Sequence, residues 1–226
     1  MPTETLFFDL DGTLTDPKPG ITGSIQYALR KLGRPVPSQD ELAWCIGPPL
    51  RGSFVTLLGG EDHADRAVEL YRERFSDIGL FENSVYSGIE PVLATLGRSG
   101  FRTFVATSKP HVFAQRIIDH FGLSRYFERV FGSELDGTRV HKADLLTYAL
   151  ARTGVDPARS LMIGDRSHDV LGAKANGIAA IGVTYGYGSR EELIAAGARH
   201  LCDSPQAIPD AILAAPARPA SAVNPS

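Results

Sequence analysis

The sequence predicts an α/β fold: a doubly wound parallel sheet, interrupted after its first strand by a small all-helical insertion. Three observations predict it. Short apolar runs recur along the chain and several stop at acidic turns, helical patterns lie between them, and one stretch near the N-terminus keeps the helical pattern without the strands.

Thr5 to Phe8 is the first run, and similar runs stand at Thr103 to Ala106, Leu161 to Ile163 and Ala179 to Val183. Continuous apolar runs of this length suit strands covered on both faces, the situation in a parallel sheet flanked by helices. The intervening helical patterns are Pro91 to Leu96, His111 to Phe121, Ala143 to Arg152 and Val170 to Asn176. Three of them stop beside Gly122, Gly154 and Gly177, as helix C-termini often do. Strand and helix in alternation imply a parallel sheet.

From about Pro17 to Ser84 the alternation fails. Ile21 to Leu32, Gln39 to Cys45, Leu50 to Leu58 and Asp65 to Phe75 all read as amphipathic helix with no clear strand between. The insertion begins a few residues past the first acidic turn, so it is expected above the carboxyl ends of the strands, where such sheets bind ligands, and in the role of a lid. The expected division is a core of residues 1–16 and 85–215, a helical cap at 17–84, and a disordered tail at 216–226 rich in Pro, Ala and Ser.

The chain's 226 residues, 43% hydrophobic and 22% charged, suffice for one sizeable core and a smaller satellite. A net charge of -3 provides no cationic surplus, which argues against polymeric nucleic acid or an anionic membrane as a partner. Cys45 and Cys202 stand far apart in no CxxC or Cys/His spacing, against a disulfide framework or a zinc site. The first residues show no basic segment followed by an apolar run, and no apolar stretch is long enough to span a bilayer. A cytoplasmic enzyme is the expectation.

Acids gather where the predicted strands end. Asp9 and Asp11 follow the first run two residues apart, which in extended chain puts their side chains on one face, and Gly12 lets the chain turn. Two close carboxylates repel unless a cation intervenes or one keeps its proton, and either outcome serves phosphoryl transfer. Taken alone, the stretch reads first as a capped turn. Leu161-Met162-Ile163-Gly164-Asp165 repeats the arrangement, with Asp169 one helical turn further on. Oxygen ligands without clustered His or Cys favour magnesium. Thr107-Ser108-Lys109-Pro110 lies where a strand meets a helix; its hydroxyls and free N–H groups suit a phosphate oxygen, or Ser108 simply caps the helix. Lys142 stands near a helix start, against the preference of the helix dipole, and is either a solvated residue or a counter-charge to the acids and a phosphate.

These four elements, in this order, resemble the haloacid dehalogenase-like (HAD) phosphohydrolases, and the likeness covers the chain up to its tail. The resemblance implies a Rossmann-like core, with Asp9 as nucleophile and Asp11 as general acid and base. It implies Mg2+ held by the Asp9 carboxylate, the Asp11 backbone carbonyl and Asp165. Thr107, Ser108 and Lys142 would bind the transferring phosphoryl group, and Asp169 would place Lys142 or a metal-bound water. The helical insertion resembles the family's small α-helical cap, and Ile46-Gly47-Pro48-Pro49-Leu50 its substrate-facing loop, so Gly47, Pro48 and Arg51 are the expected cap contacts. The true dehalogenases lack an acid at the position of Asp11, so carbon–halogen cleavage is not expected.

Asp16-Pro17-Lys18-Pro19-Gly20-Ile21, the TSKP stretch and Gly164 to Asp169 followed by Gly172 to Gly177 are most similar to a bacterial group described as 5′-nucleotidases or phosphoglycolate phosphatases. Thr184-Tyr185-Gly186-Tyr187-Gly188 fits that branch but has no evident purpose in the sequence. The implied activity is hydrolysis of a small phosphorylated metabolite, a nucleoside 5′-monophosphate ahead of phosphoglycolate. A phosphosugar mutase and a non-catalytic phospho-ligand binding module are the other readings, and monomer and homodimer stay equally open.

Overall fold

Thr5–Phe8 forms the strand β1 with all four side chains buried, as an apolar run covered on both faces must. The computed structural model describes residues 3–214, so the expected tail lies outside the described residues. After a tight turn the chain passes through β2 (Thr15–Asp16) into three helices, α1 (Lys18–Lys31), α2 (Leu50–Leu58) and α3 (Ala64–Arg74), and returns through β3 (Ser84–Val85). β2 and β3 pair antiparallel, Thr15 with Val85 and Asp16 with Ser84. The strands that leave for the helical segment and come back from it are thus laced together.

From there strand and helix alternate: α4 (Ile89–Arg98), β4 (Arg102–Pro110), α5 (His111–His120), β5 (Arg129–Ser133), α6 (Lys142–Thr153), β6 (Ser160–Gly164), α7 (Ser167–Ala175), β7 (Ala179–Val183), α8 (Arg190–Ala196), β8 (His200–Cys202) and α9 (Ile208–Ala214). The large sheet has the order β5-β4-β1-β6-β7-β8, and every neighbouring pair is parallel. The winding reverses at β1, where the loops at the carboxyl ends diverge and leave a crevice. Asp9 follows β1 directly, so it stands at that crevice.

Successive residues of β1 serve opposite faces. Phe7 stacks on Phe104, with ring centroids 5.4 Å apart, and packs with Leu145, Leu146 and Val170 of α6 and α7. Leu6 and Phe8 belong to a second cluster that runs without a break into the helical segment, through Ile25, Leu29, Phe54, Leu70 and Phe75. Apolar burial therefore joins the helical segment to one face of the sheet, in addition to the two short strands.

Two expectations differ from the fold, each for a local reason. β5 and β8 were not apparent in the sequence because they are the two edges of the sheet, where strands are short and need no continuous apolar run. Gln39 to Cys45, expected as a helix, forms only a short tight turn at Ala43–Cys45. Before it, Ser38 N–H and its hydroxyl both donate to Glu41, at 2.8 and 2.7 Å, a local side-chain alternative to helical bonding.

Arg74, at the end of α3, donates to both carboxylate oxygens of Glu82 at 2.8 and 2.9 Å and to Ser24 of α1 at 3.2 Å. A forked, partly buried pair of this kind fixes α1, α3 and the returning chain to one another. Arg74→Met is expected to lower the free energy of unfolding by about 1–3 kcal/mol, because Glu82 loses a charge-assisted partner; urea denaturation of the two proteins measures it.

Candidate active site

Pairing of β1 with β6 sets the acids against one another. Phe8 lies opposite Ile163, and Asp9 N–H continues the ladder by donating to Ile163 C=O at 2.9 Å. Asp165 follows one residue after β6 and Asp169 sits in the first turn of α7. Oxygens of Asp9, Asp165 and Asp169 come within 4.8 Å of one another, and all three residues are buried. Gly12 makes this approach possible: its φ is +84°, and a Cβ at that position would stand 2.2 Å from Asp165 Oδ2.

Lys142 enters the cluster from the start of α6. Its ammonium donates to Asp9 Oδ1 at 2.9 Å and to Ala106 C=O at 2.7 Å, and lies 2.7 Å from Asp169 Oδ1. Burial alone would lower its pKa, but Asp169 and Asp9 outweigh burial and hold the ammonium above its ordinary value. Asp169 Oδ2 accepts Arg166 N–H at 3.1 Å, closing the first turn of α7. Burial raises the Asp169 carboxyl to about 6 against the pull of Lys142. Burial also raises Asp165 well above the usual carboxylate range, with Asp169 and Asp9 adding to the effect. Three buried carboxylates thus face one ammonium, an uncompensated negative excess. Hard oxygen donors in that balance suit a divalent cation such as Mg2+, and Asp9, Asp165 and Asp169 are the carboxylates that could hold it.

Asp11 turns away from this group. Its Oδ1 accepts from Lys109 Nζ at 2.8 Å, and both side chains are nearly buried. Burial raises the Asp11 pKa, with Lys109 opposing. Lys109 is the residue that sequence reasoning passed over; the available signal was a lysine inside a strand-to-helix turn otherwise made of small residues and proline. Thr107 is buried, and its hydroxyl oxygen accepts Lys109 N–H at 3.3 Å. Ser108 C=O accepts from the Ser133 hydroxyl at 2.8 Å. α5 starts at His111 behind an extended Pro110 with no side-chain cap, so Ser108 does not cap that helix.

The acids floor a cavity of about 250 Å³, lined also by Thr107, Ser108, Lys109, Lys142 and His168. Gly47, Pro48 and Arg51 line it from the helical segment, with an apolar wall of Ile21, Leu50, Val68, Tyr71, Phe75 and Phe113. Asp165 lies beneath that surface. Arg51 is engaged at the mouth by Asp65 at 2.7 Å and Glu61 at 2.6 Å. Arg166 donates to Ile46 C=O at 2.6 Å, which ties the Gly47 loop to the start of α7. Burial lowers the pKa of His168, favouring its neutral form.

The Tyr-Gly-Tyr-Gly run acquires a purpose here. It follows β7 and presses on both acidic turns: Tyr187 N–H donates to Asp165 Oδ2 at 2.8 Å, and the Tyr185 hydroxyl donates to Thr13 C=O at 2.9 Å. The Tyr187 hydroxyl donates to Asp16 of β2. A Cβ on Gly186 would stand 2.3 Å from Gly12 O, and one on Gly188 would stand 1.9 Å from Asp165 O. Only glycine permits that contact.

The family profile of the haloacid dehalogenase-like hydrolases matches residues 6–183, a span that includes every acid of the cluster. The chain belongs to this family. A 5′-nucleotidase of Pseudomonas aeruginosa is 50% identical to this HAD-like hydrolase over 198 residues, which are 87% of this chain and 90% of that one. The tyrosine-protein kinase PtkA of Mycobacterium tuberculosis is 44% identical over 185 residues, 82% of this chain and 63% of the kinase. A crystal structure described as that of a predicted phosphatase from Clostridium acetobutylicum superposes with a TM-score of 0.92 at 43% identity, covering 95% of this chain and all of the other. The HAD-like hydrolase is thus a phosphatase by its relatives, and its sheet is the Rossmann-like sheet of the family.

The raised Asp169 carboxyl has a consequence for stability. With a folded pKa of about 6 against an ordinary 3.8, the folded protein keeps a proton that the unfolded chain has released between those values. Stability contributed by that proton is present below the lower value and is lost as pH rises through the higher one. In metal-free buffer the melting temperature of the wild type, measured relative to Asp169→Asn, is therefore expected to fall as the pH is raised from about 4 to about 7.

Proposed function

We propose that this HAD-like hydrolase is a Mg2+-dependent phosphomonoesterase that works through an aspartyl phosphate on Asp9 and acts on a nucleoside 5′-monophosphate. One observation carries the reading: a carboxylate oriented by a buried ammonium, Asp9 with Lys142, shares a cavity floor with a second carboxyl, Asp11, whose pKa is raised.

In the first step an Asp9 oxygen attacks phosphorus in line, the ester P–O bond breaks, and Asp11 delivers its proton to the departing oxygen. In the second, Asp11 takes a proton from water as that water attacks phosphorus; the bond to Asp9 breaks, inorganic phosphate leaves, and Asp11 is protonated again. An ordinary aspartate, with pKa about 3.9, is protonated in roughly one molecule per thousand at pH 7, so the role needs the upward shift that burial supplies. Lys142 orients Asp9 and faces the equatorial oxygens, while the Thr107 hydroxyl and the N–H groups at the end of β4 bind the phosphoryl group. Asp9 and Asp165, with the Asp11 carbonyl or Asp169, would hold Mg2+, which when bound offsets the charge of the phosphate and of the acids. Residues 17–84 serve as the cap, with β2 and β3 as its hinge.

The leaving group meets the apolar wall. Tyr71, Phe75, Phe113 and Ile21 offer flat and aliphatic surface suited to a nucleoside, whereas the carboxylate of phosphoglycolate needs a cation, and Arg51 is already engaged by two acids. The relative named 5′-nucleotidase supports the same choice.

With Mg2+ present, nucleoside 5′-monophosphates are expected to give a higher kcat/KM than phosphoglycolate, and a chelator is expected to abolish turnover. The reverse ranking would overturn the substrate. Asp9→Asn is expected to remove both phosphate release and the trapped phosphoenzyme; full activity in that variant sinks the mechanism. Asp11→Asn is expected to slow hydrolysis of nucleoside monophosphates by about 10²–10⁴-fold. Phosphoryl transfer to a sugar phosphate or to a tyrosine side chain in preference to water would show a transferase instead.

A further inference from the structure

Lys109 is a buried cation to which the reaction above gives no task. Its ammonium touches Asp11 on one side, at 2.8 Å, and on the other lies 4.8 Å from the ring centroid of Phe75. Lysine is rarely buried to this depth without a paired acid, since an ammonium loses its hydration there. Here the pair spans the crevice between the strand ends: Lys109 comes from the end of β4 and Asp11 from the turn after β1. Phe75 comes from a third place, the turn that ends α3 in the helical segment. The ammonium is therefore held between an acid of the sheet and a ring of the helical segment, and the ring face attracts it.

We propose that Lys109 is the positioning residue for Asp11: it pins one carboxyl oxygen so that the other faces the leaving oxygen, and it is itself steadied by Phe75. The assignment rests on the reading of Asp11 as the proton carrier. It gives the helical segment a part in placing the proton as well as in covering the substrate. Lys109 makes no bond to phosphorus and exchanges no proton.

Two aryl esters of nearly the same shape separate this role from a structural one. p-Nitrophenyl phosphate releases a good leaving group that needs no proton, whereas phenyl phosphate needs one. The quantity read is the single-turnover rate of phenol or nitrophenolate release by the Mg2+-loaded enzyme. The ratio of the two rates within one preparation does not depend on the fraction folded. Lys109→Met is expected to slow release from phenyl phosphate by about 10²-fold while changing release from p-nitrophenyl phosphate only a few-fold. Lys109→Arg should restore most of the ratio, Phe75→Leu should shift it in the same direction by a smaller factor, and Asp11→Asn/Lys109→Met should be no slower than Asp11→Asn alone. Equal slowing on both esters by Lys109→Met, or additive losses in the double variant, would overturn the assignment while leaving Asp11 in its role. An Asp11→Asn enzyme that slows both esters equally would instead remove the reading of Asp11, and the assignment of Lys109 with it.

Discussion

Negative charge taken out of water is the constraint around which the molecule is arranged. Asp9, Asp165 and Asp169 are buried together at the carboxyl edge of the sheet, and Lys142 is the ammonium set among them. Such a group costs folding energy, so the surrounding elements must each supply a donor or hold a position. β1 and β6 bring two of the acids side by side through their register, α6 presents Lys142 from its first residue, and the turn after β7 brings Tyr187 N–H. A site built this way is stiff because every member is held by a different element.

That stiffness divides the labour at the crevice. The acids beside Lys142 form one compartment, with Asp9 and Asp169 on the cavity floor and Asp165 beneath it, and Asp11 with Lys109 forms another, beside the apolar wall. Two carboxyls only two residues apart thus acquire different neighbours and different charge balances. In the proposed reaction the first compartment would handle the phosphoryl group and the second the ester oxygen, which is the separation a two-step transfer requires.

Much of this arrangement is legible in the sequence where it depends on composition over a few consecutive residues. The buried runs of β1, β6 and β7 and the helices between them follow from apolar pattern, and Asp9, Asp165 and Asp169 stand out because each closes such a run or begins the next helix. The edge strands β5 and β8 escape because edges need less apolar length, and Gln39 to Cys45 escapes because a serine and a glutamate bond locally in place of a helix. Lys109 escapes for a different reason: its partner is 98 positions away, and only burial of both distinguishes it from a surface lysine. The Tyr-Gly-Tyr-Gly run reads in the sequence as a glycine-rich loop without evident purpose, whereas its glycines serve close contact with Gly12 and Asp165.

That same loop sets a timetable for the chain. The turn bearing Asp9 and Asp11 is made well before Asp165, which the cluster needs, and before Tyr185 to Gly188, which bond to both acidic turns. Until then Asp16 of β2 also lacks the tyrosine hydroxyl that bonds to it. A ribosome-bound chain that ends within β6 already carries the helical segment and half the sheet, but its Asp9 stands without Asp165, Asp169 or the Tyr187 N–H that bonds to Asp165. The acidic cluster and the contacts that hold it therefore come together only after β7 and the loop behind it have been made.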